Sequence, residues 1–213
     1  MKNKIAILIG AFFLCLGHVF AQSADQHFSK LVLNKKEKKV FHSKDKDSTI
    51  TLRIDTLIMK DKSSLQFYGE KDVKLVIGYA EIGNNAFISG NAGKNNASNF
   101  DIDIYFQRLG SLYIIAKGRD ANNGTRTDPN GDGGNITLTY AKEGITPQTE
   151  NKKEKHYLHM DASPGGLHVV PASDLRVIYD QIKHSPPGRI SLPQGQVYSG
   201  SPGKEGKIIL QSK

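Results

Sequence analysis

The sequence predicts an all-β protein: a right-handed parallel β-helix-like solenoid with long Asn- and Gly-rich loops and one short capping α-helix. From residue 49 onward, short apolar runs alternate with polar residues, and clusters of Asn, Gly, Lys and Ser separate these runs. Segments 53–69 and 101–118 also echo each other, with Ile54 matched to Ile102. That offset of 48 residues suits about two turns of a solenoid. A β-sandwich, which also consists of short strands between turns, is the alternative fold.

The clearest strand lies in "TITLRIDTLIM", at the start of the alternating region. Ile50, Leu52 and Ile54 fall at every second position, with Thr51 and Arg53 between them. Successive side chains of a strand point to opposite faces, so this pattern predicts one buried and one solvated face. The runs "DVKLVIG", "NFDIDIYF", "SLYIIAKG" and "NITLTY" follow the same rule.

The N-terminal residues 1–21 are predicted to be a signal peptide. Lys2 and Lys4 precede the apolar run "IAILIGAFFLCLG", and small residues stand at a cleavage point after Ala21. The run is shorter than the ~20 residues that a membrane-spanning helix needs, so no transmembrane segment is expected after cleavage. Cys15, the single cysteine, lies inside it, and the mature chain would hold no disulfide or cysteine nucleophile. We expect a bacterial protein that is secreted, periplasmic or associated with the outer surface.

The remaining chain divides by composition into four parts. Residues 22–48 form a polar leader or a first strand, and residues 49–143 a β-rich core. Residues 144–155, "GITPQTENKKEK", have the composition of a linker-like loop. Residues 156–213 form a C-terminal part that holds a helix and closing strands.

The predicted helix lies near residues 173–183, in "PASDLRVIYDQIKHSPPG". Leu175, Ile178, Tyr179 and Ile182 recur at helical spacing. Ser173 suits the N-cap, and two prolines end the segment. A single amphipathic helix needs a surface for its apolar stripe, and we expect it to cap an end of the β core.

The chain is basic, with a formal net charge of +8 at pH 7. Much of this charge sits in the lysine runs 34–39 and 151–155, which are typical of solvated faces and linkers. The sequence lacks the arginine-rich face and interleaved aromatic residues of a nucleic-acid-binding protein, so no nucleic acid is expected as partner. Polysaccharide or another cell-surface component suits an exported basic protein better.

The stretch 118–140, "GRDANNGTRTDPNGDGGNITLTY", raises the question of calcium. Asp128, Asn130 and Asp132 match the first half of a calcium-binding loop, in which alternate oxygens converge on the cation. The position that needs a bidentate Glu is Thr139, inside a predicted strand. Asp120 is a candidate for a further ligand. A structural turn is the alternative, because tight turns select the same residue types.

Other titratable residues give weaker signals. Asp101 and Asp103 lie on one face of a predicted strand, either as a carboxylate pair for glycan cleavage or as its solvent face. His159 and Asp161 share a strand face from which His156 points away, and no HExxH motif is present. No catalytic residue is assigned on these grounds.

These observations favour an exported, non-catalytic, β-rich binding or structural module that contacts glycan or another surface component of the bacterial envelope. No cofactor is required, although calcium at Asp128, Asn130 and Asp132 is allowed. A lyase or hydrolase of acidic polysaccharide on a β-helix is the alternative. A calcium-stabilised adhesin is a second alternative.

Overall fold

The computed structural model describes residues 24–43, 48–121, 129–167, 183–184 and 202–213. The regular elements described in full are β-strands, and Lys183 has a helical conformation. The predicted signal peptide lies outside the described residues, and so does the predicted helix apart from Lys183. The strands are β1 (Ala24–Leu33), β2 (Lys38–His42), β3 (Ser48–Met59), β4 (Ser64–Tyr68), β5 (Glu70–Ile82), β6 (Ala86–Gly93), β7 (Asn96–Ala97), β8 (Asn99–Leu109), β9 (Ser111–Ile115), β10 (Ile136–Tyr140), β11 (Tyr157–Asp161) and β12 (Ile208–Ser212).

The strands form two sheets whose neighbouring strands run parallel. Sheet A has the order β1-β3-β5-β8-β10-β12, and sheet B has the order β11-β9-β6-β4-β2. The short strand β7 lies antiparallel beside β6 in sheet B. The chain passes from a strand of sheet A to one of sheet B and back, and each such passage is one coil. This arrangement confirms the predicted β-solenoid, because a sandwich would consist of antiparallel strands.

The interior between the sheets is apolar and follows the predicted alternation. Leu52 and Ile54 of β3 are buried, whereas Arg53 between them is exposed. Ile54 lies beside Ile77 of β5, which lies beside Ile104 of β8. The partner of Ile54 two coils on is therefore Ile104, and the predicted match to Ile102 was wrong by two residues. The reason is that successive coils differ in length, because their turns differ, while the pairing keeps equivalent side chains in rows.

Aromatic rings fill one end of this interior. Phe67 of β4 is fully buried and stacks on Phe41 of β2, with ring centroids 5.4 Å apart. Its other neighbour is Phe100 of β8, at 6.0 Å in an edge-on arrangement. Phe28 of β1 completes the row at 6.2 Å from Phe41. These rings join β1 and β8 of sheet A to β2 and β4 of sheet B in one core.

One corner between the sheets repeats the same turn. Lys36, Lys62 and Asn85 each have a left-handed backbone, with φ of 63°, 61° and 54°. The N–H of Lys36 donates to the carbonyl of Asp61 at 3.0 Å, and the N–H of Lys62 donates to that of Asn84 at 2.8 Å. Stacked turns thus continue the hydrogen bonding of the sheets around the corner.

Strands of the two sheets lie in three of the four compositional divisions of the chain. Residues 22–48 contain β1 and β2, and residues 156–213 contain β11 and β12, which pair with β9 and β10. The loop 144–155 is closed by Gln148, whose N–H donates to the carbonyl of His156 at 2.8 Å. The Gln148 Oε1 atom also accepts the N–H groups of Glu150 and Asn151 at 2.9 Å. This loop is therefore internally hydrogen-bonded.

Glu70, at the start of β5, is a buried carboxyl group. It lies opposite Ser48, where the register between β3 and β5 shifts. The residue is 2% exposed, and its Oε2 atom has no hydrogen-bond partner. Burial raises the pKa of Glu70 above its ordinary value of 4.5, and this outweighs the backbone hydrogen bonds and the nearby His42, which lower it. Ionised Glu70 therefore destabilises the fold.

Replacing Glu70 with Gln is expected to raise the melting temperature at pH 7. Because the folded-state pKa is raised, the native protein holds this proton more tightly than the unfolded chain. The destabilisation is present at neutral pH and disappears as the pH falls through the folded pKa towards 4.5. Thermal unfolding followed by circular dichroism from pH 4 to pH 7 measures the effect. The exposed Glu81→Gln is the control, and an equal or lower melting temperature for Glu70→Gln at pH 7 would contradict the assignment.

Candidate functional site

The glycines of the stretch 118–140 bring neighbouring coils into close backbone contact. The N–H of Gly131 donates to the carbonyl of Arg119, and the N–H of Gly165 donates to the carbonyl of Gly131, both at 2.9 Å. The N–H of Gly203 then donates to the carbonyl of Gly165 at 3.1 Å. A Cβ atom on Gly131 would overlap the carbonyl oxygen of Asn95. Glycine is needed here because the backbones leave no room for a side chain.

Side-chain oxygens extend this hydrogen bonding along the same corner. In each of two rows, a side-chain oxygen of one coil accepts the backbone N–H of the equivalent residue in the next coil, at 2.6 to 2.9 Å. The first row consists of Asn96, Asp132 and Lys204. The second row consists of Asn99, Asn135 and Lys207. The Asn- and Asp-rich composition of this corner thus has a structural reason: it satisfies N–H groups that the sheets leave unpaired.

The residues predicted to bind calcium take part in this framework. The Oδ1 atom of Asn130, a residue 7% exposed, accepts the N–H of Ala121 at 2.8 Å. The Oδ1 atom of Asp132 accepts the N–H of Lys204 at 2.6 Å, and that of Asp120 accepts the N–H of Gly166 at 2.5 Å. Asp128 lies outside the described residues. The described part of the chain contains no group of three or more His, Cys, Asp or Glu side chains that could hold a metal ion. Calcium at Asp128, Asn130 and Asp132 stays a prediction.

A cleft of about 450 Å³ opens where the loop after β6 meets the stretch 118–140. Asn95 joins the two, because its Nδ2 atom donates to the carbonyl of Pro129 at 2.9 Å and its carbonyl accepts the N–H of Arg119 at 2.8 Å. The N–H of Ala97 donates to the carbonyl of Asp132 at 3.0 Å. The lining residues are Lys71, Ala92, Gly93, Lys94, Asn96, Ala97, Asn99, Asp132 and Gly133.

Two lysines give the cleft its charge. Lys71 and Lys94 are exposed, and neither forms an ion pair with another described residue. The carboxylate among the lining residues is Asp132, which already accepts a backbone N–H. The cleft therefore combines two ammonium groups with side-chain amides and a carboxylate, a set that suits a hydroxyl-rich ligand carrying negative charge.

The position of Lys94 is unusual for a lysine. Lys94 and Asn95 both have left-handed backbones, with φ of 49° and 65°, at the tip of the hairpin between β6 and β7. Two consecutive residues with positive φ are what a type I′ turn requires, and Asn and Gly are the usual residues there. A lysine in this conformation costs about 1 kcal/mol. The turn nevertheless presents an ammonium group at the cleft.

Asp101 and Asp103 lie on the outer face of sheet A, away from the lining of the cleft. The Oδ2 atom of Asp101 is 3.9 Å from the Nζ atom of Lys74, and the Oδ1 atom of Asp103 is 2.5 Å from that of Lys213. Ile102 between them points into the core. Each of these carboxylates thus faces a lysine on an open sheet, as solvent-face residues do.

The histidines of the described residues lie apart from the cleft lining. His159 and Asp161 are on the outer face of β11, as their spacing predicts, and the His159 ring lies 5.7 Å from that of Tyr113. Partial burial raises the pKa of Asp161, but hydrogen bonds from Ser163 and the nearby Lys117 and His159 outweigh it, so the net pKa is lowered. This carboxylate is therefore ionised and internally bonded.

The chain matches no protein-family model, no curated protein and no solved structure. None of the described elements is a helix with the length and hydrophobicity needed to cross a bilayer. The residues themselves define the protein as a β-solenoid with a polar, basic cleft at one corner. The Asn- and Gly-rich loops of this corner are evident in the sequence, whereas Lys71 and Lys94 were not predicted. Lys94 stands within the Gly- and Asn-rich run 90–96, which was the available signal, and Lys71, at the start of β5, has none.

Proposed function

We propose that this protein is an exported, non-catalytic bacterial binding module whose corner cleft takes an acidic polysaccharide of the cell envelope or its surroundings. One observation carries the proposal: Lys71 and Lys94 stand at a cleft of about 450 Å³ without acidic partners among the described residues. Unpaired ammonium groups beside a concave polar surface attract carboxylate or sulfate groups.

The other lining residues favour a sugar over a simple anion. Asn96 is exposed at the cleft, and Gly93 and Gly133 bring backbone groups to its surface. Amides, backbone groups and a carboxylate pair well with hydroxyl groups, which both donate and accept hydrogen bonds. The Asn rows and the close glycine contacts hold these groups in place before a ligand arrives, which lowers the entropic cost of binding.

Export is supported by residues 1–21, with their lysines, apolar run and small residues at the end. The full sequence has a formal net charge of +8, of which Lys2 and Lys4 contribute two, and the basic remainder suits an acidic partner outside the cell. Both features come from the sequence, and the signal-peptide pattern is independent of the cleft.

Binding without cleavage is favoured over a hydrolase. Glycoside hydrolysis uses two carboxyl groups that flank the scissile bond. Asp132 is the carboxylate among the described lining residues, and Asp101 and Asp103 face lysines on sheet A. The cleft thus resembles a binding site more than a pair of acid and base.

The double variant Lys71→Ala/Lys94→Ala is expected to weaken binding of an oligogalacturonate about tenfold or more, because each exposed charge-assisted contact contributes roughly 1 kcal/mol. Isothermal titration calorimetry measures the affinity. A methyl-esterified oligogalacturonate, which lacks the charge, is expected to bind the unaltered protein about as weakly as the acidic ligand binds the variant.

The matched control is Lys35→Ala/Lys62→Ala, which removes the same charge from exposed lysines at the turns between β1 and β2 and between β3 and β4. Its affinity is expected to stay within a factor of two. Equal losses of affinity in both double variants would show that the ligand is attracted by overall charge and would contradict binding at the proposed cleft.

A further inference from the structure

Phe87 is an exposed aromatic residue on the outer face of sheet B. It is 36% exposed, and its ring stacks on that of Tyr113 with centroids 4.9 Å apart and planes 22° apart. Parallel pairing places Phe87 between Ser64 on one side and Tyr113 on the other. One ring face is thus covered by Tyr113, and the other faces the side of the small Ser64.

The ring of Tyr113 is held by further aromatic groups. Tyr157 lies edge-on to it at 5.8 Å, and His159 lies at 5.7 Å. The Nζ atom of Lys152 lies 5.6 Å from the Tyr113 ring centroid. Tyr113 is consequently 8% exposed and offers little surface, whereas it fixes the orientation of Phe87. A rigid exposed ring of this kind is the usual platform for the apolar face of a ligand.

Strand β6 connects this ring to the cleft. Its outward residues after Phe87 are Ser89 and Asn91, both half-buried, and the strand then reaches Ala92 and Gly93 in the cleft lining. At ~3.3 Å per residue, the five steps from Phe87 to Ala92 span about 16 Å. The path is long enough for several sugar rings in a row.

Polar side chains of the preceding coil border the same path. Ser89 lies beside Gln66 and Asn91 lies beside Tyr68 in the parallel register of β4 and β6. Gln66 and Tyr68 are half-buried on the outer face, and the Tyr68 hydroxyl lies 3.4 Å from Gln66 Oε1. A strip of hydroxyl and amide groups thus lies between an aromatic ring at one end and two lysines at the other.

We infer that the outer face of β6 is an extension of the binding site, in which one pyranose ring stacks on Phe87 while acidic sugars of the same chain occupy the cleft. The inference rests on the proposed function, because it needs the cleft as the second point of attachment. The C–H groups of a pyranose face contact the ring of Phe87, and its hydroxyl groups bond to the polar strip. A ligand that reaches both ends binds more tightly than one that fills the cleft alone.

The experiment compares a galacturonate trisaccharide with a galacturonate octasaccharide by isothermal titration calorimetry. The unaltered protein is expected to bind the octasaccharide about tenfold more tightly. Phe87→Ala should remove this gain and leave trisaccharide affinity unchanged. The control is Tyr79→Ala on sheet A, where Tyr79 is 58% exposed and pairs with Tyr105 at 5.2 Å. Circular dichroism melting checks that both variants fold.

The outcomes separate this inference from the proposed function. If Lys71→Ala/Lys94→Ala loses trisaccharide binding while Phe87→Ala binds both lengths like the unaltered protein, the cleft stands and the extension along β6 is overturned. If Phe87→Ala weakens octasaccharide binding but the trisaccharide never binds, Phe87 contacts the sugar, yet the cleft fails and the extension that depends on it is overturned as well. If Tyr79→Ala and Phe87→Ala lose the same affinity, the extension is also overturned.

Discussion

Gly131→Ala is expected to lower the free energy of unfolding by about 3 kcal/mol or more. The added Cβ atom would clash with the backbone of a neighbouring coil, and the clash can be relieved only by moving that backbone. A Cβ atom at this position would overlap the carbonyl oxygen of Asn95, which belongs to backbone in an adjacent coil. Relief would separate Asn95 from Arg119 and Gly131 from Gly165, which their hydrogen bonds hold together. Urea unfolding followed by circular dichroism measures the change.

Gly93→Ala is the matched control for this effect. Gly93 has a left-handed φ of 94°, but nothing lies within 4 Å of the position that its Cβ atom would occupy. The substitution should cost only about 1 kcal/mol, from backbone conformation alone. Similar losses in the two variants would contradict the view that close backbone contact defines this corner.

Phe67→Ala is expected to cost about 3–5 kcal/mol, the usual range for removing a buried phenylalanine. Phe67 is fully buried and touches rings from both sheets, Phe41 on β2 and Phe100 on β8. Its loss leaves a cavity that rigid stacked coils can close only in part. Urea unfolding again provides the measurement. Val40→Ala, at a position 48% exposed on β2, should change stability by less than about 0.5 kcal/mol. A loss below about 1 kcal/mol for Phe67→Ala would argue against this core.

The fold was predictable because alternating apolar and polar residues are typical of a strand in a sheet with one buried face. From Ile50 to Ile54 of β3, buried and less buried residues alternate as the sequence pattern predicts, and after Asp55 the alternation shifts by one residue, so that Leu57 and Met59 are buried. The repeat was harder to place, since Ile54 matches Ile77 and then Ile104 across coils of unequal length. The alternation of apolar and polar residues shows which side chains point into the core. It does not show the register between neighbouring coils, because that register depends on the lengths of the turns.

The candidate site was less predictable, because it depends on contacts between distant parts of the chain. Asp132 bonds to Asn96, which lies 36 residues earlier, and to Lys204, which lies 72 residues later. In isolation, Asp132 in "DPNGDG" suggests a calcium ligand. The three-dimensional arrangement shows an additional role in joining coils. Lys71 and Lys94 belong to no motif, and the fold brings Lys71 at the start of β5 and Lys94 at the β6–β7 hairpin to one cleft.

The corner also explains why one stretch concentrates so many Gly, Asn and Asp residues. Glycine permits close backbone contact at Gly131, and side-chain oxygens at Asn99 and Asn135 pair N–H groups between strands. The close glycine contacts and the side-chain hydrogen bonds together hold this corner in place, and the cleft lies at the same corner. A ligand would therefore meet groups already held in position, which favours binding.

The cleft between the loop after β6 and the stretch 118–140 is proposed to bind acidic sugar. Nuclear magnetic resonance of the ¹⁵N-labelled protein during titration with an oligogalacturonate tests it most directly. We predict saturable shifts concentrated at Lys71, at residues 93–99 and at Asp132 and Gly133. The absence of saturable shifts, or shifts confined to the lysine turns at residues 34–38 and 60–63, would contradict the claim.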